Sequence, residues 1–279
     1  MLGTQLKGSF IYKEFTIAYQ RDGVGSEHVF AFHGFGSSPR DLDALVAPLS
    51  EAYSIWRFDL FHHGESKYPK NRVNGDTLRS EEFAAILYAF AQRERILRFS
   101  LIGYSLGGKI CLCLLEEMPE MIDHVALFAP DGVEIHPIYK FASGTWLGRT
   151  LYRGFIVKPG LLFKIVGLST AIKIVSPKMK EIVLYNMNTQ AKRQLLHDVW
   201  MTYRNFRPDL KRIERTIKNG SMVLNLYFGK YDKVIRPYLA TLAQNALPSA
   251  NIQMLDCGHL DLVKKATMEF QILGTKKGA

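Results

Sequence analysis

The amino-acid sequence predicts an α/β protein, a mostly parallel central sheet flanked by helices, with a helical segment inserted into it. Three observations carry that prediction. Short apolar and β-branched runs alternate with segments whose apolar residues recur at helical spacing, the pattern of a parallel sheet covered on both faces. One such run, Phe99 to Ile102, passes through Gly103-Tyr104-Ser105-Leu106-Gly107 into a helical pattern at Lys109 to Glu117. Finally, Ser105, Asp232 and His259 each follow directly on a predicted strand.

In chain order, Phe10 to Tyr19 is rich in aromatic and β-branched residues and reads as an opening pair of strands. Arg21 to Gly25 is a turn, and His28 to Phe32 is a fully apolar strand that runs into His33-Gly34-Phe35-Gly36-Ser37-Ser38. Pro39 to Leu49 reads as a helix with Arg40, Asp41 and Asp43 on its outer side. Tyr53 to Asp59 is the next strand, followed by Leu60-Phe61-His62-His63-Gly64-Glu65-Ser66. Asp76 to Arg93 places Phe83, Ile86, Leu87 and Phe90 on one helical face. After the Ser105 segment, His124 to Ala129 is a further parallel strand closed by Pro130-Asp131-Gly132.

The alternation then stops. From 133 to 219 apolar, aromatic and basic residues fall at helical spacing, interrupted at Gly148, Pro159-Gly160, Ser176-Pro177 and Pro208, with no convincing strand. The sheet resumes at Met222 to Phe228, and Gly229-Lys230-Tyr231-Asp232 follows it. Tyr238 to Asn245 is a short helix, Asn251 to Leu255 the last strand, and Asp256-Cys257-Gly258-His259 leaves its end. The expected organisation is a core of residues 1–132 and 220–279, with 133–219 inserted after the sixth strand; the Lys276-Lys277 tail reads as frayed.

At Ser105 the backbone must reverse between strand and helix within about three residues. That forces the serine into a strained conformation with its hydroxyl exposed, and a Cβ at position 103 or 107 would collide with a neighbouring element. A plain helix cap would explain Ser105, but not the flanking glycines. Here the chain resembles the α/β-hydrolase family, whose nucleophile elbow has this strand, turn and helix context. Two further segments match: His33-Gly34-Phe35-Gly36 resembles the family's H-G-x-G loop, and Asp59 to Ser66 its D-x-x-G-H-G-x-S loop. In the latter His62 stands where glycine is usual, so a positive φ is expected there at some cost; His62 and His63 read as structural.

The resemblance implies a Ser, Asp, His order of catalytic residues, met by Ser105, Asp232 and His259. A serine hydroxyl needs a base, and an imidazole needs a carboxylate to fix its tautomer. The oxyanion would be held by the amides of Phe35 and Leu106. Asp131 is the competing acid, although Gly-x-x-Asp-x-x-Ile-x-Pro around Asp232 matches the family better. The resemblance further implies that the insertion is a lid and that the reaction is hydrolysis of a carboxylic ester or thioester through an acyl-enzyme. A lyase or acyltransferase on the same triad, or a catalytically silent binding member of the fold, are the alternatives.

The expected partner is a small-molecule ester or acyl substrate, anionic or lipid-like, with no metal or organic cofactor. Of the net charge of +10, Asp131 to Arg215 carries the bulk, with 15 Lys and Arg against 6 Asp and Glu. That charge suggests three roles. Arg149, Arg153, Arg204 or Arg207 pairs with an anionic substrate; the lid rests on an anionic membrane; or the charges merely solvate the surface. No nucleic-acid motif accompanies it. Met1 to Phe15 lacks the apolar core of a secretory signal, and Leu161 to Val175, broken by Lys164 and Lys173, is too short for a membrane span. Cys111, Cys113 and Cys257 are odd in number and read as reduced packing residues, which points to the cytoplasm.

Overall fold

The computed structural model describes residues 6–172, 180–181, 184–185, 187–220 and 222–273. The expected break at Ser176-Pro177, the end of the Leu161 to Val175 window, the Lys276-Lys277 tail and residues 1–5 of the opening segment lie outside the described residues. Contacts divide the chain into two compact units, one of residues 1–70, 78–134 and 205–279 and the other of 71–77 and 135–204. Compared with the expected insertion of 133–219, residues 205–219 pack with the sheet. Phe206 meets Phe83 at 6.0 Å between ring centroids, and Arg212, in helix Leu210–Asn219, donates to the Glu116 carbonyl at 2.8 Å.

The sheet unit is built on eight strands in the order β1-β2-β4-β3-β5-β6-β7-β8. They are β1 (Leu6–Tyr12), β2 (Phe15–Asp22), β3 (Glu27–Phe32), β4 (Tyr53–Phe58), β5 (Phe99–Tyr104), β6 (Ile122–Phe128), β7 (Val223–Gly229) and β8 (Asn251–Leu255). β1 and β2 form an antiparallel hairpin, β2 joins β4 antiparallel, and every other pairing is parallel. The all-buried runs Tyr53–Phe58 and Phe99–Tyr104 are what a parallel strand covered on both faces requires. Beyond β3 the chain first moves outward to β4 and then crosses back to β5 on the other side. β3 and β5 therefore flank the switch point where a crevice opens at the carboxyl ends of the strands.

Between β3 and β4 the expected helix is two pieces, a 3-10 segment at Pro39–Leu45 and the short α1 (Val46–Leu49). Pro39 suits the first turn, and Ser38 caps it by accepting from Arg40 N. α2 (Lys70–Val73) belongs to the helical unit from Asn71 on. α3 (Ser80–Arg93) begins four residues later than the apolar spacing suggests, because Thr77 instead donates its hydroxyl to the Met201 carbonyl at 2.7 Å. α4 (Leu106–Glu117) follows β5, and Leu262–Glu269 is the last described helix.

The core on the α3 side is aromatic. Phe90 lies 5.1–5.6 Å, centroid to centroid, from Phe10, Tyr19, Phe30, Trp56 and Phe58, and the Arg93 guanidinium rests 5.0 Å above its ring. Arg57 is buried in the same sheet, paired with Asp22 at 2.8 Å and with Asp43. The helical unit holds α5 (Pro137–Gly144), α6 (Trp146–Val157), α7 (Gly160–Ala171) and the helix Gln190–Thr202. Buried Arg193 ties that unit together by donating to the Ile156 and Met187 carbonyls at 2.9 and 2.8 Å.

Phe90→Ala removes the ring on which four elements converge, so it should destabilise the fold by about 3–5 kcal/mol. Urea unfolding checks this as a lowered midpoint with an unchanged slope.

Candidate active site

Ser105 sits at φ 52° and ψ −112° between β5 and α4, the left-handed strain that the flanking glycines predict. Its own backbone is fully engaged. The amide donates to Phe128 O at 2.9 Å, and the carbonyl accepts from Gly108 N, Lys109 N and Asp131 N at 2.9, 3.3 and 3.0 Å. The side chain does not cap α4, which disposes of the simple capping explanation. A Cβ at Gly103 would meet Gly107 O at 2.6 Å, and one at Gly107 would meet Phe32 O at 2.1 Å. The elbow's glycines are therefore demanded by close approach.

Parallel pairing sets the partners level with one another. Gly103 of β5 lies opposite Phe32 of β3, and Gly229 of β7 opposite Leu255 of β8. Beyond β7, Asp232 is buried, and its Oδ1 accepts from the amides of Val234 and Ile235, each at 2.8 Å. Its Oδ2 lies 2.6 Å from His259 Nδ1 beyond β8. A carboxylate can only accept there, so Nδ1 carries the proton and Nε2 is left as the basic nitrogen. Tyr104, the residue before the serine, donates its hydroxyl to the His259 carbonyl at 3.1 Å and packs its ring 5.0 Å from the imidazole. Burial, then Asp41, Asp232 and Asp261, raises the Tyr104 pKa, so the phenol stays a donor. Asp232 and His259 are thus in contact, while among the described residues no hydrogen bond joins Ser105 Oγ to His259 Nε2.

The competing acid goes elsewhere. Asp131 faces Lys109 Nζ at 3.5 Å and accepts from Gly132 N at 2.8 Å. Asp256 pairs with Lys230 at 3.1 Å. Arg204 is likewise committed, donating to the carbonyls of Gly75, Met201 and Val73 at 2.8, 3.1 and 3.2 Å.

The two oxyanion candidates stand at the ends of neighbouring strands. Among the described residues neither the Phe35 amide nor the Leu106 amide has a hydrogen-bond acceptor. Leu106 N opens α4, where the free amides carry the positive end of the helix dipole. Gly36, at φ +68°, turns the loop after Phe35, and Gly107 N donates to His33 O at 3.1 Å, joining loop to elbow.

Three residues that hold this loop, Asp41, His33 and His63, were assigned no chemical role in the sequence. Asp41 was expected on an outer face, yet its carboxylate accepts from the Ser37 hydroxyl and from Gly34 N. His33 is fully buried. Its Nδ1 lies 2.7 Å from Gly34 O and its Nε2 accepts from Leu60 N at 3.0 Å. His63 returns the contact, with Nδ1 3.1 Å from Phe61 O and Nε2 accepting from Gly36 N at 2.9 Å. Each ring is therefore neutral with Nδ1 protonated. Burial, and then the neighbouring imidazole, pushes the His33 pKa down to about 3, and burial lowers that of His63. His62 adopts φ 70°, as its place in the loop requires. Gly64 is needed because a Cβ there would lie 2.0 Å from Asp59 Oδ2, and Ser66 locks the loop by donating to Asp59 O at 2.7 Å.

Known proteins share this architecture. A family profile described as alpha/beta hydrolase fold matches residues 27–161. The dihydrolipoyllysine-residue acetyltransferase component of the acetoin cleaving system of Cupriavidus necator is 28% identical over 90% of the chain. The chain spans less than two-thirds of the length of the first curated relatives it matches, 63% in that case. Among solved structures, the thioesterase domain from the curacin biosynthetic pathway superposes with a TM-score of 0.66 at 15% identity, covering 96% of this chain and 98% of that one. A thermophilic esterase from Thermogutta terrifontis gives 0.65 at 16% identity, with 96% of each chain covered. With the strand order, the elbow and these likenesses together, the chain has the α/β-hydrolase fold, and its residues 27–161 match that family's profile.

Proposed function

We propose that the protein is a serine hydrolase that cleaves a carboxylic ester or thioester through an acyl-enzyme on Ser105. The observation that carries this reading is the 2.6 Å contact between Asp232 and His259 Nδ1, which leaves Nε2 free as a base in a site that also holds the strained Ser105 elbow. The fold family and its esterase and thioesterase neighbours support hydrolysis in general.

In the first step His259 Nε2 takes the Ser105 proton while Oγ forms a bond to the acyl carbon. The carbonyl oxygen becomes an oxyanion, which the Phe35 and Leu106 amides stabilise. Collapse breaks the bond to the leaving alcohol or thiol, and the imidazolium returns its proton to that group. A water molecule then gives a proton to Nε2 and attacks the ester carbon, and collapse breaks the bond to Ser105 Oγ, which takes that proton back as the acid leaves. Asp232 stabilises the imidazolium without itself becoming protonated.

The helical unit leaves the chain just after β6 and rejoins it before β7; on that connectivity we read it as the lid. The three free cysteines, all buried, support a reducing, cytoplasmic setting. A second reading, acyl transfer to an alcohol or thiol in place of water, is favoured by the acetyltransferase component among the relatives. Adding a nucleophilic acceptor to the assay separates the two, because transfer yields a new ester in place of free acid.

A fluorophosphonate probe should label Ser105, and Ser105→Ala should abolish both labelling and turnover; folded protein that resists the probe would overturn the reading. Asp232→Asn should lower kcat about 10⁴-fold by leaving His259 in the wrong tautomer, whereas Asp131→Asn should leave it nearly unchanged. His63→Ala removes the acceptor that holds Gly36 N, so kcat should fall by about 10²-fold with little change in KM. Acid should act in the same direction. The lowered pKa keeps His63 neutral above its titration, and turnover should fall once pH drops far enough to place a proton on Nε2 facing the Gly36 amide; the pH profile of kcat checks this.

A further inference from the structure

Beyond the site, the helical unit has an unusual surface. From Ile135 to Lys180 the sequence contains eight Lys and Arg and no Asp or Glu. Four of those cations are exposed, Lys140, Arg153 and Lys164 in the described helices and Lys158 just after α6.

Among them the helices turn large apolar side chains outward. In α6 the buried residues Gly148, Tyr152 and Ile156 recur every four positions and mark the inner face. The opposite side carries Trp146 and Val157, which are 71% and 70% exposed. In α7 the outward stripe is Leu161, Lys164 and Leu168, spaced three and four apart, with Leu168 65% exposed. A helix on a water-facing surface normally shows the reverse arrangement, with its polar residues outward. An apolar face interleaved with cations matches a lipid interface. There the tryptophan and leucines enter the acyl boundary, while Lys and Arg extend their stems to reach the phosphates.

We infer that the outward face of α6 and α7 docks on the surface of an anionic lipid bilayer. The charge pattern selects this occupant over a second copy of the chain, because two such faces would oppose like charges with no acid to offset them. It also selects surface attachment over insertion. No single described helix is long and apolar enough to cross a membrane, and α6 and α7 are bent by 101° from one another. The inference is independent of the chemistry at Ser105.

Co-sedimentation of the full chain with vesicles tests it. Vesicles of equimolar phosphatidylcholine and phosphatidylglycerol should bind the protein, phosphatidylcholine alone should bind it far less, and raised salt should release it. Trp146→Asp and Leu168→Asp should each weaken partition about tenfold or more, and Lys164→Gln about fivefold. Ser105→Ala should bind like the parent, so failure of the hydrolase reading would leave this result intact. The charged variants should keep turnover of a short water-soluble ester, which also shows that they fold. The inference is overturned if the parent stays in the supernatant with anionic vesicles at low salt, whether monomeric or self-associated through this face. It is equally overturned if the Asp variants bind as the parent does, or if they lose soluble-ester turnover because these residues serve the substrate.

Discussion

The site depends on how closely the first turn of α4 approaches the end of β3. At Gly107 even a methyl group would lie 2.1 Å from the Phe32 carbonyl oxygen. Only a glycine lets the helix start so near the sheet, and the turn into it must then be tight enough to strain Ser105. The same approach brings Gly107 N to His33 O. The position of Ser105 and the position of the loop after β3 are therefore one geometric fact. The strain is held by four backbone hydrogen bonds at Ser105 that reach β6, α4 and Asp131, which is how a costly φ persists there.

The His33 and His63 rings extend that coupling to a third loop. Each sends its Nδ1 proton to a carbonyl in its own loop and receives an amide of the other, with the rings 5.0 Å apart. Such a pair works only while both imidazoles are neutral, since a protonated Nε2 would meet an N–H donor head-on. Burial enforces that state. Neutral histidine is well suited to the task, because one ring offers a donor and an acceptor at opposite ends and can bridge two loops that share no strand pairing.

How much of this could be read from the residues divides along a physical line. The elbow, the mostly parallel sheet implied by alternation, and the placing of Asp232 and His259 at strand ends were legible because each is tied to a local signal: glycines at a forced turn, or a polar residue at the end of an apolar run. The roles of His63 and Asp41 were not, since both act through contacts 27 and 7 residues away that no spacing encodes. The extent of the insertion was misjudged for a related reason. Helical periodicity in 205–219 says that a face is buried, but not against which neighbour. Phe206 on Phe83 and Arg212 on Glu116 supply that neighbour in the sheet unit. Likewise Thr77, three residues ahead of the observed start of α3 in a run of helical spacing, belongs to the helical unit and donates to Met201 O.

The two carboxylates differ in what the sheet topology lets each of them reach. Both Asp131 and Asp232 follow a parallel strand, and both lie within a sheet whose carboxyl ends face one way. But β7 is paired directly with β8, so a turn after β7 reaches the loop after β8 without crossing another strand. β6 is one strand further off and adjoins β5 instead, which brings Asp131 to the back of the elbow. There its amide supports Ser105 O and its carboxylate meets Lys109, whose side chain is itself buried. Moving the acid to Asp131 would require His259 to bend back across β7 and would draw the Asp131 carboxylate away from the buried Lys109 side chain that it faces at 3.5 Å. The lysine in the first turn of α4 thus gives Asp131 a contact of its own, while Asp232 is the carboxylate that meets His259.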